Sequence, residues 1–201
     1  MGNVIAYIII LTGIPASGKT TFSKYLSKDL GVPVISKDFI KEILFDDIGF
    51  KSREEKVKLG IASMNIMYGI AEESMKLNKT VILENNFENI SKKRLNMLIK
   101  TYNYEVINIR FQGEISVIYN RFVKRNHSKS RHLGHVINES YPPKGPVHNN
   151  SIITLKEFEE MIISRGILDF DIGGEVINVD TTDFSKVNYK EIINKVKDRI
   201  R

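Results

Sequence analysis

Eight residues, Gly13-Ile14-Pro15-Ala16-Ser17-Gly18-Lys19-Thr20, carry the densest chemical signal in the chain, spaced as G-x-x-x-x-G-K-[ST]. In that spacing a tight glycine turn aims successive backbone N–H groups into one concavity at a helix N-terminus, where they hold phosphate oxygens. The lysine reaches the β- and γ-phosphates, and the threonine hydroxyl takes Mg2+. Gly13, Ala16, Ser17, Gly18, Lys19, Thr20 and Thr21 are therefore the predicted triphosphate cradle, with Thr20 the Mg2+ ligand. A chance match in a glycine-rich loop would lack the flanking elements found here. Val4–Leu11 is an apolar, β-branched run expected of a buried parallel strand, and Phe22, Leu26 and Leu30 then recur at helical spacing up to a stop at Gly31.

Such a loop specifies a nucleotide, not a reaction. Ser36-Lys37-Asp38-Phe39-Ile40-Lys41 follows a short apolar run at Pro33-Val34-Ile35 and places Asp38 and Lys41 one helical turn apart. In an open α/β sheet the carboxyl ends of the strands form the ligand crevice, so Asp38 is expected near the γ-phosphate. A carboxylate there orients an acceptor hydroxyl and takes its proton, while Lys41 can hold an anionic part of the acceptor. Asp38 could instead only cap the following helix. Glu84-Asn85-Asn86 leaves the next predicted strand at the same edge, where Glu84 can position Mg2+-bound water and Asn86 can bond an acceptor, or where Asn simply suits a turn.

Arg121, Arg125 and Arg131, with Lys124 and Lys129 between them, form a basic run that a solvated face would also explain. Beside a triphosphate the anion such a run lacks is supplied, and a guanidinium closing on a transferring phosphoryl group can contribute ~10³–10⁵ in rate. All three arginines are candidate ATP contacts, and Arg125 joins Lys19 and Asp38 as a catalytic candidate. His127, His132 and His135 fall in the same stretch, but without cysteine or a supporting helix they are expected to be solvated and not zinc-binding. Asp171-Ile172-Gly173-Gly174 precedes the last predicted strand, and Asn178-Val179-Asp180-Thr181 is not the guanine-reading N-K-x-D. ATP is the expected nucleotide.

The elements that must position these residues alternate strand and helix, which implies one α/β domain over residues 1–201 with a parallel sheet. Helices are expected over 37–46, from a Ser52-Arg53-Glu54-Glu55 capping box with Ile61, Met64, Tyr68, Ala71 and Met75 buried, over 91–102 capped by Ser91, over 114–125, from Thr154 to Gly166, and over 188–200. Strands are expected at Thr80–Glu84, Glu105–Phe111 and Glu175–Val179. The segment 126–150, rich in Gly, Pro, His and basic residues, reads as a mobile lid or irregular loop. A 201-residue chain can bury roughly 70% of its unfolded surface. Its lack of cysteine excludes disulfides and thiolate metal sites, and no stretch approaches a membrane span. No leader or myristoylation pattern stands at Met1–Ala6, so a cytoplasmic location with no obligate protein partner is expected. The net charge of +6 is compatible with polyanionic partners and equally with a triphosphate site.

Together, Gly13–Thr20, Ser36-Lys37-Asp38, Val81–Phe87 and Phe122-Val123-Lys124-Arg125-Asn126 resemble the small P-loop kinases related to polynucleotide 5′-kinase and the zeta-toxin group. The resemblance covers roughly 4–132. It implies a P-loop three-layer sandwich with a five-stranded parallel sheet in the order 2-3-1-4-5, and ATP- and Mg2+-dependent transfer to a hydroxyl. By position it makes Asp38 the general base, sets Lys41 where the polynucleotide branch carries a substrate-contacting arginine, and makes Arg125 and Arg131 lid arginines. Lysine at 41 gives up bidentate phosphate recognition, Glu84 replaces an aspartate, and His132-Leu133-Gly134-His135 with Pro142-Pro143 sets this segment apart from the polynucleotide branch. The expected reaction is γ-phosphate transfer from ATP to a small-molecule hydroxyl. A nucleic-acid 5′-hydroxyl kinase or a nucleic-acid-binding regulatory ATPase are the alternatives.

Overall fold

β1 (Tyr7–Gly13) runs up the middle of the sheet and is buried along nearly all its length. A computed structural model describes residues 6–145 and 153–200; Val4, Ile5, His148 and the end of the expected 126–150 segment lie outside the described residues. Five parallel strands stand in the order β2-β3-β1-β4-β5, as expected, with β2 (Val34–Ser36), β3 (Val81–Glu84), β4 (Glu105–Gln112) and β5 (Glu175–Asp180). Because alternate side chains of a strand face opposite ways, Ile8 and Ile10 enter one core while Ile9 and Leu11 enter the other. The first core is closed by α3 (Arg53–Lys76) and α4 (Lys92–Tyr102), through Met67, Ala71, Met75, Leu95 and Leu98. The second is closed by α1 (Lys19–Leu30) and α8 (Tyr189–Ile200), through Phe22, Leu26, Ile193 and Val196. A third cluster joins α5 (Ile115–Asn126) to α7 (Leu155–Ser164) through Ile118, Phe158 and Ile162.

Local signals set most boundaries. Gly31 ends α1 in the left-handed region and donates to Ser27 O at 2.9 Å. Thr154 and Glu157 form the expected reciprocal capping box of α7. At α3, Ser52 Oγ accepts from Glu55 N–H (3.2 Å), but the Glu55 carboxylate turns back to Lys51 N–H (2.6 Å). Two expectations fail here. Ser91 makes no side-chain cap, being taken into a short 3-10 turn ahead of α4, and Ile61 is 57% exposed while Met67 one turn and a half later is fully buried. Tyr68, Ala71 and Met75 are buried as expected and Met64 packs on the core, so the departure is confined to Ile61, on the part of α3 that packs on α2 (Lys37–Ile48).

Parallel register brings the carboxyl ends of three strands together. Leu11 pairs with Glu84, and Ser36 pairs with Glu84 from the other side. Glu84 therefore stands between the loop after β1 and the start of α2.

Candidate active site

The loop between β1 and α1 is shaped by its neighbours as much as by its own sequence. Gly13 has φ +126°, and a Cβ there would lie 2.0 Å from the carbonyl oxygen of Phe111 on β4, so only glycine lets the strand turn at this point. Ala16 also holds a positive φ, and Ser17 is fully buried with its N–H donating to Ile14 O at 3.2 Å and its hydroxyl unpartnered. Gly18 is the left-handed N-cap of α1, so the first N–H groups of the helix, from Lys19 and Thr20, point outward without intrahelical acceptors. No acidic residue occupies that first turn, leaving the positive end of the helix dipole for an anion. Thr21 is exposed beside it. Lys19 is buried and donates from Nζ to the carbonyls of Gly13 and Ile14, each at 2.8 Å. Burial pulls its pKa down to about 8, with Glu84 and Asp38 opposing and Arg125 assisting.

Glu84 is buried and shared between two hydroxyls. Thr20 Oγ1 donates to Oε1 at 3.1 Å, and Ser36 Oγ donates to Oε2 at 2.7 Å. A carboxylate fixed this way beside the P-loop threonine presents oxygen donors of the kind Mg2+ takes, directly or through water. Asn86 follows at the strand end, its backbone carbonyl accepting from Gly13 N–H at 3.4 Å with its side chain half-buried. Ser36, which accepts from Phe39 N–H at 3.5 Å, is the N-cap of α2. Asp38 is therefore free of the capping role and lies in the first turn.

Asp38 is surrounded by cations. Lys37 Nζ is 3.4 Å from Oδ1, and 44% of the Asp38 side-chain surface still meets solvent. Desolvation works to raise its pKa, but Lys37, then Arg131 and Lys41, reverse that and hold it well below the usual carboxylate range. Lys41 sits 5.1 Å above the ring of Phe45, and burial, then Lys37, bring its pKa down to about 7. Arg125 has a buried Nε without a partner, and its pKa falls to about 10 through burial and the nearby Arg131, against the pull of Asp38 and Glu84. Arg131 likewise has a buried, unpartnered Nε and reaches Glu42 Oε1 only at 3.9 Å. Arg121 points elsewhere: its guanidinium donates to the carbonyls of Thr181 and Thr182 and lies 3.9 Å above the ring of Phe184, which itself abuts Gly18.

The stretch after α5 is far better anchored than its composition indicates. It contains a short helical turn, α6 (Leu133–Val136), and Tyr141 bridges to Phe50 by two backbone bonds of 2.8 and 2.9 Å. His135 is not solvated: its Nε2 lies 2.8 Å from Glu42 Oε1, and burial lowers its pKa despite that carboxylate. At neutral pH Nε2 therefore carries the proton and donates to Glu42. His132 Nδ1 accepts from Gly134 N–H at 3.0 Å, so its Nε2 donates to Asp46 at 3.0 Å. Both rings pack on Phe45. Lys56, buried on α3, donates to His135 O at 3.1 Å, Ile137 O at 2.5 Å and Asn138 Oδ1 at 3.0 Å. Glu42, Lys56 and His135 were not predicted as site residues. A lysine on the otherwise packed stripe of Lys56, Ser63 and Met67 is the one pattern that could have flagged its partner-seeking role.

No helix among the described residues is long and apolar enough to cross a membrane, and no group of three or more metal-ligating side chains is found among them.

A protein from Chloroflexus aurantiacus J-10-fl, described as a candidate kinase, superposes with a TM-score of 0.78 at 29% identity, covering 96% of this chain and 97% of its own. A gluconokinase from Sinorhizobium meliloti 1021 superposes at 0.52 with 13% identity, covering 98% and 92%. A sugar kinase from Janibacter sp. HTCC2649 does so at 0.53 with 10% identity, covering 95% and 92%. The last two share the fold alone. The AAA domain profile AAA_33 matches residues 8–139, the span that holds the P-loop, Asp38, Glu84 and the α5 arginines. This chain, with its P-loop cradle at the head of a five-stranded kinase-like sheet, belongs to the AAA_33 family of AAA domains.

Proposed function

We propose that the protein is an ATP- and Mg2+-dependent phosphotransferase that moves the γ-phosphate to a hydroxyl of a small molecule. The observation that supports this is the place of Asp38 in the first turn of α2, two residues after Ser36, which bonds Glu84 beside the P-loop threonine, with Lys19 and Arg125 near it on one side and Lys41 and Arg131 on the other. Gly13, Ala16, Ser17, Gly18, Lys19, Thr20 and Thr21 are assigned to the phosphates, with Arg125 at the end of α5 and Arg131 in the stretch after it as the arginines beside them. Thr20 Oγ1 and the Glu84 carboxylate, 3.1 Å apart, would hold Mg2+ directly or through water, and the ion would supply charge stabilisation of the transferring group. The acceptor oxygen bonds to the γ-phosphorus as the bond to the β–γ bridging oxygen breaks and its electrons leave on ADP. The acceptor proton passes to Asp38. A carboxylate held so acidic is a weak base at rest, which suits a loose transition state in which the hydroxyl sheds its proton late. Asn86, at the end of β3, is assigned to the acceptor, and Arg121 with Phe184 offers a flat platform beside Gly18 for the nucleoside.

Labelled ATP and a panel of hydroxyl acceptors test the reaction. Asp38→Asn should lower transfer ~10²–10⁴-fold while leaving nucleotide affinity unchanged. Nucleotide binding that fell with turnover would remove Asp38 from the acceptor side.

A second reading, a nucleic-acid 5′-hydroxyl kinase, is favoured by a cleft of about 630 Å³ lined by Phe50 and Tyr141, where Lys51, Lys58 and Lys144 outnumber the one carboxylate, Glu55. Oligonucleotide binding across a salt series separates the two. A shallow slope fits the small-molecule acceptor, and a slope equal to about four or more neutralised phosphates fits the nucleic acid.

A further inference from the structure

Glu42 stands one helical turn after Asp38 on the same face of α2, and its carboxylate meets the stretch after α5 twice. His135 Nε2 donates to Oε1 at 2.8 Å, and Arg131 Nη1 lies 3.9 Å from the same oxygen. Neither partner is a surface group: the side chain of His135 is 8% exposed and that of Arg131 16%. The two contacts do different things. Burial keeps His135 neutral at neutral pH, so its bond orients the carboxylate without cancelling the charge. The same bond holds the Glu42 carboxyl below its usual range, which keeps it ionised. The imidazole is itself fixed. It packs edge-to-face with Phe45, its residue's backbone carbonyl is taken by Lys56 at 3.1 Å, and a Cβ on the preceding Gly134 would lie 2.3 Å from the Phe45 ring.

The negative charge is thus left for Arg131, and among the described residues no other carboxylate lies within ion-pair distance of that guanidinium. Arg131 needs such a holder. Arg125, Lys41 and Lys56 all repel it, and its Nε is buried without a partner. Like charges gathered in a partly desolvated cleft are costly unless a negative charge opposes them. Building on the phosphotransferase reading, we infer that Glu42 is a positioning residue: oriented by His135, its carboxylate presets Arg131 for the transferring phosphoryl group, one turn of α2 beyond Asp38.

The spacing suits a tether better than a trap. At 3.9 Å the charges attract, but the contact is too long for a hydrogen bond, so the N–H groups of the guanidinium fork are not spent on Glu42. A bidentate carboxylate would bind those groups and keep them. Here the arginine is held in place with its donors left for phosphate oxygens. Donors set in advance do not have to reorganise as charge develops on the transferring group. The loss of Glu42 therefore falls on kcat more than on ATP binding.

The test is a double-mutant cycle on the full chain with Mg2+ present. It is read as labelled-phosphate transfer from ATP to the best acceptor of the panel, and as binding of ADP with aluminium fluoride, a mimic of the transferring phosphoryl group. Glu42→Gln keeps an oxygen for His135 and removes the charge. It should lower kcat about 10- to 100-fold, the scale of a misplacement of roughly 1 Å, and weaken the aluminium fluoride complex by a similar factor. The KM for ATP and the affinity for ADP alone should barely change. Glu42→Asp, charged but shorter, should retain more of the rate than Glu42→Gln. In an Arg131→Gln background Glu42→Gln should cost little more, because the arginine it positions is gone. If Glu42→Gln does not fold, the cycle is run with Glu42→Asp, whose smaller loss must also vanish once Arg131 is replaced. Losses that multiply, or a folded Glu42→Gln protein with unchanged kcat, would overturn the inference and leave Glu42 a mere fastening, with the phosphotransferase reading intact. So would a better rate for Glu42→Gln than for Glu42→Asp. A native chain that transfers no phosphate and binds ADP no more tightly with aluminium fluoride than without it would overturn both readings together.

Discussion

Replacing Lys56 by methionine keeps the length and apolar stem of the side chain but removes its three donors. Charge-assisted hydrogen bonds contribute ~1.5–3 kcal/mol each, so the contacts to His135 O, Ile137 O and Asn138 Oδ1 represent a gross gain of about 5–9 kcal/mol. Opposing this is the burial of the ammonium. The fall of its pKa from 10.5 to about 8, caused chiefly by desolvation and then by Arg53, corresponds to about 3–4 kcal/mol at ~1.4 kcal/mol per pH unit. The difference, centred near ~3 kcal/mol, is a local quantity, because every acceptor lies in the stretch after α6 begins. Lys56→Met should therefore increase the opening constant of that stretch about 100-fold while barely changing the sheet. Native-state hydrogen exchange reads this directly. The amides of His135, Ile137 and Tyr141, bonded to His132 O, Leu133 O and Phe50 O, should exchange faster, and those of β1 and β4 should not. Two results would refute the reasoning. Unchanged exchange at all three amides would mean that the aromatic packing of Phe45, Phe50 and Tyr141 suffices alone. Equal acceleration in β1 would mean that Lys56 supports the global fold.

Lys19→Ala should abolish measurable ATP turnover in a protein with unchanged circular dichroism, because the described P-loop holds no second lysine; retained turnover would remove the phosphate role. Lys41, with a pKa of about 7, loses its charge as pH rises through that value, so the KM of an anionic acceptor should climb by up to about tenfold per pH unit above neutrality. A KM profile from pH 6 to 9 checks this, and Lys41→Arg should flatten the alkaline limb. Gly13→Ala forces a Cβ to within 2.0 Å of the Phe111 carbonyl at a φ of +126°, so ~3 kcal/mol or more of stability should be lost, a fall in Tm of about 6–12 °C by thermal denaturation.

Much of this molecule is written locally. The P-loop turn depends on glycines at 13 and 18, the alternation of apolar strands and amphipathic helices specifies a parallel sheet, and Gly31 and Thr154 mark helix ends through their own backbone chemistry. These features involve residues a few positions apart, so propensity and spacing determine them before any packing occurs. The candidate residues Lys19, Thr20, Asp38 and Glu84 stood out for the same reason, each lying at a strand end or helix start beside a recognisable turn. What the sequence left open depended on side chains that meet from far along the chain. Ser36 reaches Glu84 across 48 positions, Lys56 reaches His135 across 79, and Glu42 reaches His135 across 93. No periodicity encodes such pairs, because they arise only when α2 and α3 are laid together and the chain after α5 folds over both. The same packing turned Ile61 outward and Met67 inward, drew Arg121 onto Phe184, and laid His132 and His135 on Phe45, while His127 stayed exposed as expected. Local chemistry determined what the chain can hold. Tertiary contact decided which charges surround Asp38, because Lys37 and Lys41 on α2 meet Arg131 only when the chain after α5 folds over that helix.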